Sequence, residues 1–311
     1  MDPSLDGIVV TGANGQLGRA LLADLAREGH RRVRALVRSE RARRTIEADG
    51  IECKPEIHVV DYANARDMEN ALAGSGCVIH LVGIIKEMPG TRYVDAHERT
   101  CEALARAAER AGIRRVVYLS ILGSTPDSNN ACLASKGRGE SILIAGPVAA
   151  TILRVPMVLG GRDAASNALR HQARARSIRL VGGGRTLQQP IDARDVVRAI
   201  RAASTDGSDR DVVLDAGGPE CLSHRDLVLR AARLWNNEPR IGTIPLGLAR
   251  FAVGCLDRIL PSPPISLAMF DILQHDDHVD PGIFCRALGI ELTPLDETLA
   301  DHVGPESEPP R

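Results

Sequence analysis

Short apolar runs alternate with segments of helical periodicity through the first half of the chain. "GIVV" precedes a helical pattern over Gln16–Arg27, "RVRALV" one over Arg41–Ala48, and "IHVV" one over Ala65–Ala73. "CVIHLV" then precedes a pattern over Ala96–Ala111, "RRVVYLS" one over Leu133–Ala145, and "ATILRV" closes the series. Strict alternation of this kind buries both faces of a parallel sheet under helices. The predicted fold class is therefore α/β, a doubly wound parallel Rossmann sheet with a smaller, mainly helical C-terminal lobe. Ligands in such sheets bind at the carboxyl ends of the strands, where the strand order reverses.

After "RVPMVLGG" the alternation lapses. Residues 1–160 are assigned to the sheet domain, completed by about residues 187–220, where "QQPIDARDVVRAIRAA" reads as a loop entering a helix and "DVVLDAGG" as a further strand. Residues 161–186 and 221–302 make the smaller lobe, expected to meet a substrate or partner, with Ser223 capping the helix "HRDLVLRAARLW". The polar, proline-rich end, residues 303–311, is expected to be disordered.

Composition narrows the function. Aromatic residues make up 2% of the 311 positions against 44% hydrophobic, so the core rests on aliphatic side chains and base-stacking surfaces are not expected. With 39 basic and 40 acidic residues the chain lacks the positive footprint of a nucleic-acid binder. Seven scattered cysteines without a Cys-x-x-Cys pair fit reduced thiols, and no metal site is expected, the run from His275 to His278 reading as a solvated turn. No targeting segment opens the chain, and a cytoplasmic protein is expected. "IPLGLARFAVGCLDRIL", interrupted by Arg250, Asp257 and Arg258, reads as a partly exposed amphipathic helix, which leaves peripheral contact with a membrane open but no transmembrane segment.

The candidate chemistry begins where the first strand enters "TGANGQLG". Gly12, Gly15 and Gly18 suit a tight turn, a close approach by diphosphate and helix-on-sheet packing, while Ala13, Asn14, Gln16 and Leu17 offer backbone around the same helix N-terminus. This pattern points to a dinucleotide. Arg38, after the second strand, favours NADP(H) because a guanidinium suits a 2′-phosphate, and Glu40 keeps NAD(H) open. Asp61 can accept from the adenine amino group or cap the following helix, and Tyr62 is placed beside it on the cofactor side. Leu81, Val82 and Gly83 end the fourth strand, where the cofactor's ribose should pass.

These stretches, with "RVVYLSILG", "SKGRGE" and "ILRVPMVLG", resemble the short-chain dehydrogenase/reductase superfamily, specifically its atypical, extended-like members of the epimerase/dehydratase type. The later portions are similar to the branch containing the nucleotide-binding accessory subunit of respiratory complex I. The resemblance implies a tyrosine acid four residues before a lysine, helped by a serine after the fifth strand. Lys136 matches the lysine and is implied to bind the nicotinamide ribose, while Val155, Pro156 and Met157 are implied to flank the nicotinamide. Cys132 stands at the tyrosine position, and the serine position falls near Leu122 rather than Ser120.

A thiol ends one atom beyond Cβ and does not reach where a phenol would, so Cys132 is expected to be inactive packing, with thiolate chemistry beside Lys136 the lesser alternative. Two functions follow. One is a cofactor-binding protein without tyrosine-dependent catalysis, acting as sensor, stabiliser or assembly partner of a redox complex. The other is an NADPH-dependent oxidoreductase that works on a carbonyl or quinone-like substrate without a tyrosine acid.

Overall fold

The computed structural model describes residues 7–51, 54–205, 207–260 and 262–305. They fall into two compact units, the described residues within 7–154 with 197–215 and those within 155–196 with 216–305. In the first, β1 (Ile8–Thr11), β2 (Val33–Val37), β3 (Glu56–Val59), β4 (Cys77–His80), β5 (Arg115–Ile121) and β6 (Ala149–Val155) alternate with α1 (Gln16–Arg27), α2 (Glu40–Glu47), α3 (Ala65–Leu72), α4 (Thr100–Arg110) and α5 (Ala131–Ile144). The chain continues through β7 (Val158–Leu159), α6 (Ala164–Arg174), β8 (Ser177–Val181), β9 (Leu187–Gln188), β10 (Ile191–Asp192) and α7 (Ala193–Thr205), and returns to the sheet as β11 (Val212–Asp215). It ends with β12 (Leu222–Ser223), α8 (His224–Arg233), β13 (Arg240–Ile244), α9 (Leu246–Ile259), α10 (Leu267–Leu273), α11 (Pro281–Leu288) and α12 (Leu295–His302).

The seven-stranded sheet has the order β11-β6-β5-β4-β1-β2-β3, the doubly wound α/β arrangement the sequence predicts. The order reverses between β1 and β4, whose registers set Thr11 opposite both Leu36 of β2 and His80 of β4. β1 and β4 are buried along their whole length, which their unbroken apolar runs require. Leu21, Leu22 and Leu25 form the buried stripe of α1, each worth roughly 1.5–3 kcal/mol on burial. Ser39, Asn64 and Asn130 cap α2, α3 and α5 through their side-chain oxygens. The sequence predicts one helix from Ala96; instead a π-helical turn, Val94–Arg99, leads into α4, and such turns are a local widening that residue periodicity does not reveal.

In the second unit, Leu169, Leu227, Val228, Leu295 and Leu299 build a separate core, and Val303 is buried with them. Residues 306–311 of the predicted disordered end lie outside the described residues. Ser223 caps α8 as expected. After β8 the left-handed glycines Gly182, Gly183 and Gly184 spend their amides on the carbonyls of Ile244, Leu180 and Val181, so this run is a turn. Around α9 the charges point inward to α10: Arg250 grips Asp271 at 3.0 and 3.1 Å, and Asp257 accepts from the Leu267 amide. No residue of α9 is buried, and Leu248, Phe251 and Ile259 are 60%, 70% and 74% exposed. No helix among the described residues is long and apolar enough to cross a membrane.

Gly137 lets α5 lie against the loop after β5. A Cβ there would fall 2.3 Å from the Thr125 carbonyl carbon and 2.5 Å from the Pro126 nitrogen, both backbone. Gly137→Ala is expected to cost about 2–3 kcal/mol, read as a lower urea midpoint; an unchanged midpoint would contradict this packing.

Candidate functional site

At the carboxyl end of β1 the chain turns sharply at Gly12, which has a φ of 67°. A Cβ on Gly12 would lie 3.2 Å from the Leu81 carbonyl carbon, and one on Gly18 would lie 2.7 Å from the carbonyl oxygens of Gly12 and Ala13. Gly15 is the N-cap of α1, no side chain caps the helix, and its first turn carries no acid. The positive end of the α1 dipole is therefore not offset by an acid of its own first turn. Asn14 and Gly15 are exposed there, Gln16 and Leu17 half-buried, and Ala13 is buried with its amide 3.4 Å from the Leu36 carbonyl oxygen.

Tyr62 enters this turn from behind. The Gly12 amide donates to its Oη at 2.9 Å, and Oη donates to the Leu36 carbonyl at 2.5 Å. Burial pushes the phenol up to about 12, against the Gly12 hydrogen bond and the Arg38 charge that lower it. Arg38 itself is exposed just past β2, with no carboxylate paired to it among the described residues. Glu40, by contrast, sits in the first turn of α2 and lies 4.0 Å from Arg43. Asp61 is exposed and accepts from the Ala63 amide at 3.0 Å; the cap of α3 is Asn64.

Beyond β4, the exposed Gly83 lies over Lys136. A Cβ at Gly83 would come 2.7 Å from Lys136 Nζ, so only glycine leaves the ammonium its place. Lys136 is 4% exposed and donates to the carbonyls of Leu119 at 2.9 Å and Val82 at 3.4 Å, with Nζ 4.4 Å from the Tyr118 ring centroid. Burial lowers its ammonium to about 8. Two buried histidines stand near it. His80 exchanges hydrogen bonds with Thr11 Oγ1 at 2.8 Å and Thr100 Oγ1 at 3.4 Å. Thr100 donates onward to the Ala96 carbonyl, so it accepts from His80 Nε2–H, and Nδ1 takes the Thr11 hydroxyl proton. His97 Nε2 accepts from the Ile84 amide at 3.1 Å, so its proton is on Nδ1. Burial, aided by the Lys136 charge, drives both imidazoles down to about 3.

Cys132 lies one turn before Lys136 on α5 and is fully buried, its Sγ 3.5 Å from the Ile84 carbonyl and beside Tyr93. Burial raises the thiol to about 11, more than the Lys136 ammonium lowers it. Ser120 donates to Glu140. That carboxylate is also gripped by Arg154 at 2.6 and 3.0 Å, and Arg154 reaches Asp215 at 3.5 Å. Leu122 is buried, and two residues on Ser124 Oγ is buried without a hydrogen-bond partner among the described residues. In the second unit, Val155 is buried at the end of β6, Pro156 and Met157 are half-buried, and the Met157 carbonyl accepts from Ile191 at 2.9 Å.

The sequence reading picked out the glycine turn, Arg38, Gly83 and Lys136, and the fold gathers them at the carboxyl edge of β1, β2, β4 and β5. It passed over His97, the role of Tyr62's hydroxyl and the Glu140–Arg154 pair. Glu140, four residues after Lys136 on one helix face, was the available signal for that pair. The edge fits a dinucleotide: a left-handed turn at Gly12, a Gly18 whose Cβ would collide with backbone, a helix N-terminus without a side-chain cap, and a cation beyond β2. Among the described residues no three His, Cys, Asp or Glu side chains group to hold a metal.

The buried groups carry two measurable consequences. At pH 7.5 a thiol reagent is expected to leave Cys132 unmodified in the native protein while exposed Cys255 reacts; labelling of Cys132 at a comparable rate would contradict its burial. His80 and His97 fold with pKa values lowered from 6.5 to about 3, so the unfolded chain binds their protons first. Stability is full above pH 6.5 and is lost as pH falls toward 3, about 2 kcal/mol per histidine by pH 5. Urea midpoints at the two pH values should show this, with a smaller difference in His97→Gln; equal midpoints would contradict it.

The NAD(P)H-binding family model matches residues 12–179. The mitochondrial NADH dehydrogenase [ubiquinone] 1 alpha subcomplex subunit 9 of Arabidopsis thaliana is 30% identical over 274 residues, covering 84% of this chain and 68% of that one. The mitochondrial NADH-ubiquinone oxidoreductase 40 kDa subunit of Neurospora crassa is 25% identical over 291 residues, 93% of this chain and 76% of that one. A nucleoside-diphosphate-sugar epimerase from Staphylococcus aureus shares the fold, with a TM-score of 0.73 at 17% identity over 94% of this chain and 99% of that one. With its glycine turn and reversed strand order, the chain belongs to the NAD(P)H-binding family and is a relative of these two mitochondrial subunits.

Proposed function

We propose that this chain holds NADP(H) at the carboxyl edge of its sheet without tyrosine-dependent turnover, and serves as a cofactor sensor, stabiliser or assembly partner of a redox complex. One observation carries the reading. The residue four before Lys136 is a fully buried thiol raised to about 11, and the Lys136 ammonium is spent on two backbone carbonyls. Position 132 thus offers no proton donor of the phenol type, while the lysine is kept one turn further along the helix.

In this reading the amides from Gly12 to Gly18 receive the diphosphate, Asp61 lies on the adenine side, Leu81, Val82 and Gly83 line the ribose, and Lys136 approaches the nicotinamide ribose. Arg38 takes the 2′-phosphate, supported by its lack of a carboxylate partner beside a Glu40 already near Arg43. Bound NADP(H) would supply hydride chemistry at its nicotinamide. Assembly with a protein partner is supported by the exposed Leu248, Phe251 and Ile259 of α9 and by the relatives, which are named as subunits.

Fluorescence titration tests the cofactor side: NADPH should bind at least about tenfold tighter than NADH, and Arg38→Ala should erase that margin. Equal affinities in the parent chain would overturn the choice of NADP(H). With bound NADPH and a panel of carbonyls and quinones, no steady NADPH oxidation is expected. Sustained turnover would instead establish the reductase reading.

A further inference from the structure

We propose that Tyr62 is a positioning residue for the dinucleotide's diphosphate, its one hydroxyl holding the Gly12 turn in place by bridging the ends of β1 and β2. The proposal rests on the reading that the dinucleotide lies on this turn.

Gly12 lies just past the end of β1 with a left-handed backbone, and among the described residues its amide meets Tyr62 Oη, at 2.9 Å. The hydroxyl proton goes to the Leu36 carbonyl, which also receives the Ala13 amide at 3.4 Å. Leu36 is the register partner of Thr11. The turn after β1, the end of β2 and the segment after β3 are therefore pinned through one oxygen. Tyr62 is 3% exposed, and its ring is part of the apolar cluster with Leu36, Val60 and Met68. The hydroxyl proton is committed and the side chain covered, so Tyr62 acts on a ligand through Gly12. Arg38 follows Leu36 by two residues and its charge acts on the phenol, but the bridge makes its hydrogen bonds to Gly12 and Leu36 alone. At a pKa of about 12 the phenol keeps its proton throughout the physiological range.

Tyr62→Phe keeps the ring in the cluster and removes only the oxygen, leaving the Gly12 amide and the Leu36 carbonyl short of a partner. In the ligand-free chain, amide exchange at Gly12 should quicken at least about tenfold in Y62F while Val9 and Val10 are unchanged. The NADPH dissociation constant should rise about tenfold, while affinity for adenosine 2′-monophosphate, which has no diphosphate, stays the same. Equal weakening of both ligands would mark a general loosening and overturn the positioning role, as would unchanged exchange and unchanged NADPH affinity.

Should Y62F not fold, the parent chain still decides the matter: its Gly12 amide must exchange at least about tenfold more slowly than that of exposed Asn14, and equal rates would overturn the bridge. Failure of the parent chain to bind NADPH would overturn the dinucleotide reading itself, whereas normal binding with an unaltered Y62F affinity would overturn Tyr62's role alone.

Discussion

A buried ammonium has to be satisfied wherever it is placed, and the site of this protein is arranged around that requirement at Lys136. Removed from water, Nζ is held by the Leu119 and Val82 carbonyls and by the face of Tyr118. That arrangement fixes α5 against the ends of β4 and β5. A Cβ at position 83 would stand 2.7 Å from Nζ, so a larger residue there would make the ammonium shift. The same positive charge adds to burial in keeping His80 and His97 neutral. Its attraction for a thiolate is too weak to offset the burial of Cys132, so the thiol remains protonated.

On the other side of the strand-order reversal the governing requirement is close approach of backbone to backbone. The left-handed Gly12 turn passes the end of β4 so closely that a Cβ would lie 3.2 Å from the Leu81 carbonyl, and α1 begins with no side-chain cap. One half of the edge thus suits an anion and the other holds a cation deep beneath the surface. A reaction centre would need a proton donor between chemistry and solvent, and position 132 offers a covered thiol.

Features that impose a residue type were legible in the sequence. A left-handed turn and a helix packed on backbone select glycine, so Gly12, Gly15 and Gly18 marked the cofactor edge, and apolar runs between helical patterns marked the sheet. Lys136 was legible only through the resemblance of its stretch to a known superfamily. Features made by tertiary register were not. Tyr62 hydrogen-bonds across β1 and β2 from a position beyond β3, and nothing local distinguishes it from an ordinary buried tyrosine. Asp61 and Asn64 are both good helix caps three residues apart, and only the path of the chain gives the role to Asn64. The π-helical turn that carries His97 has no periodic signature, and Ser120's engagement with Glu140 depends on where α5 crosses β5.

The central claim is that this chain is built to hold NADP(H) as a resident molecule. The most direct measurement is to denature the protein as isolated and identify the released nucleotide by mass spectrometry. Release of NADP(H) in near-equal amount to protein is the expected result. Release of NAD(H) in its place, or a protein free of nucleotide that binds none when it is supplied, would contradict the account.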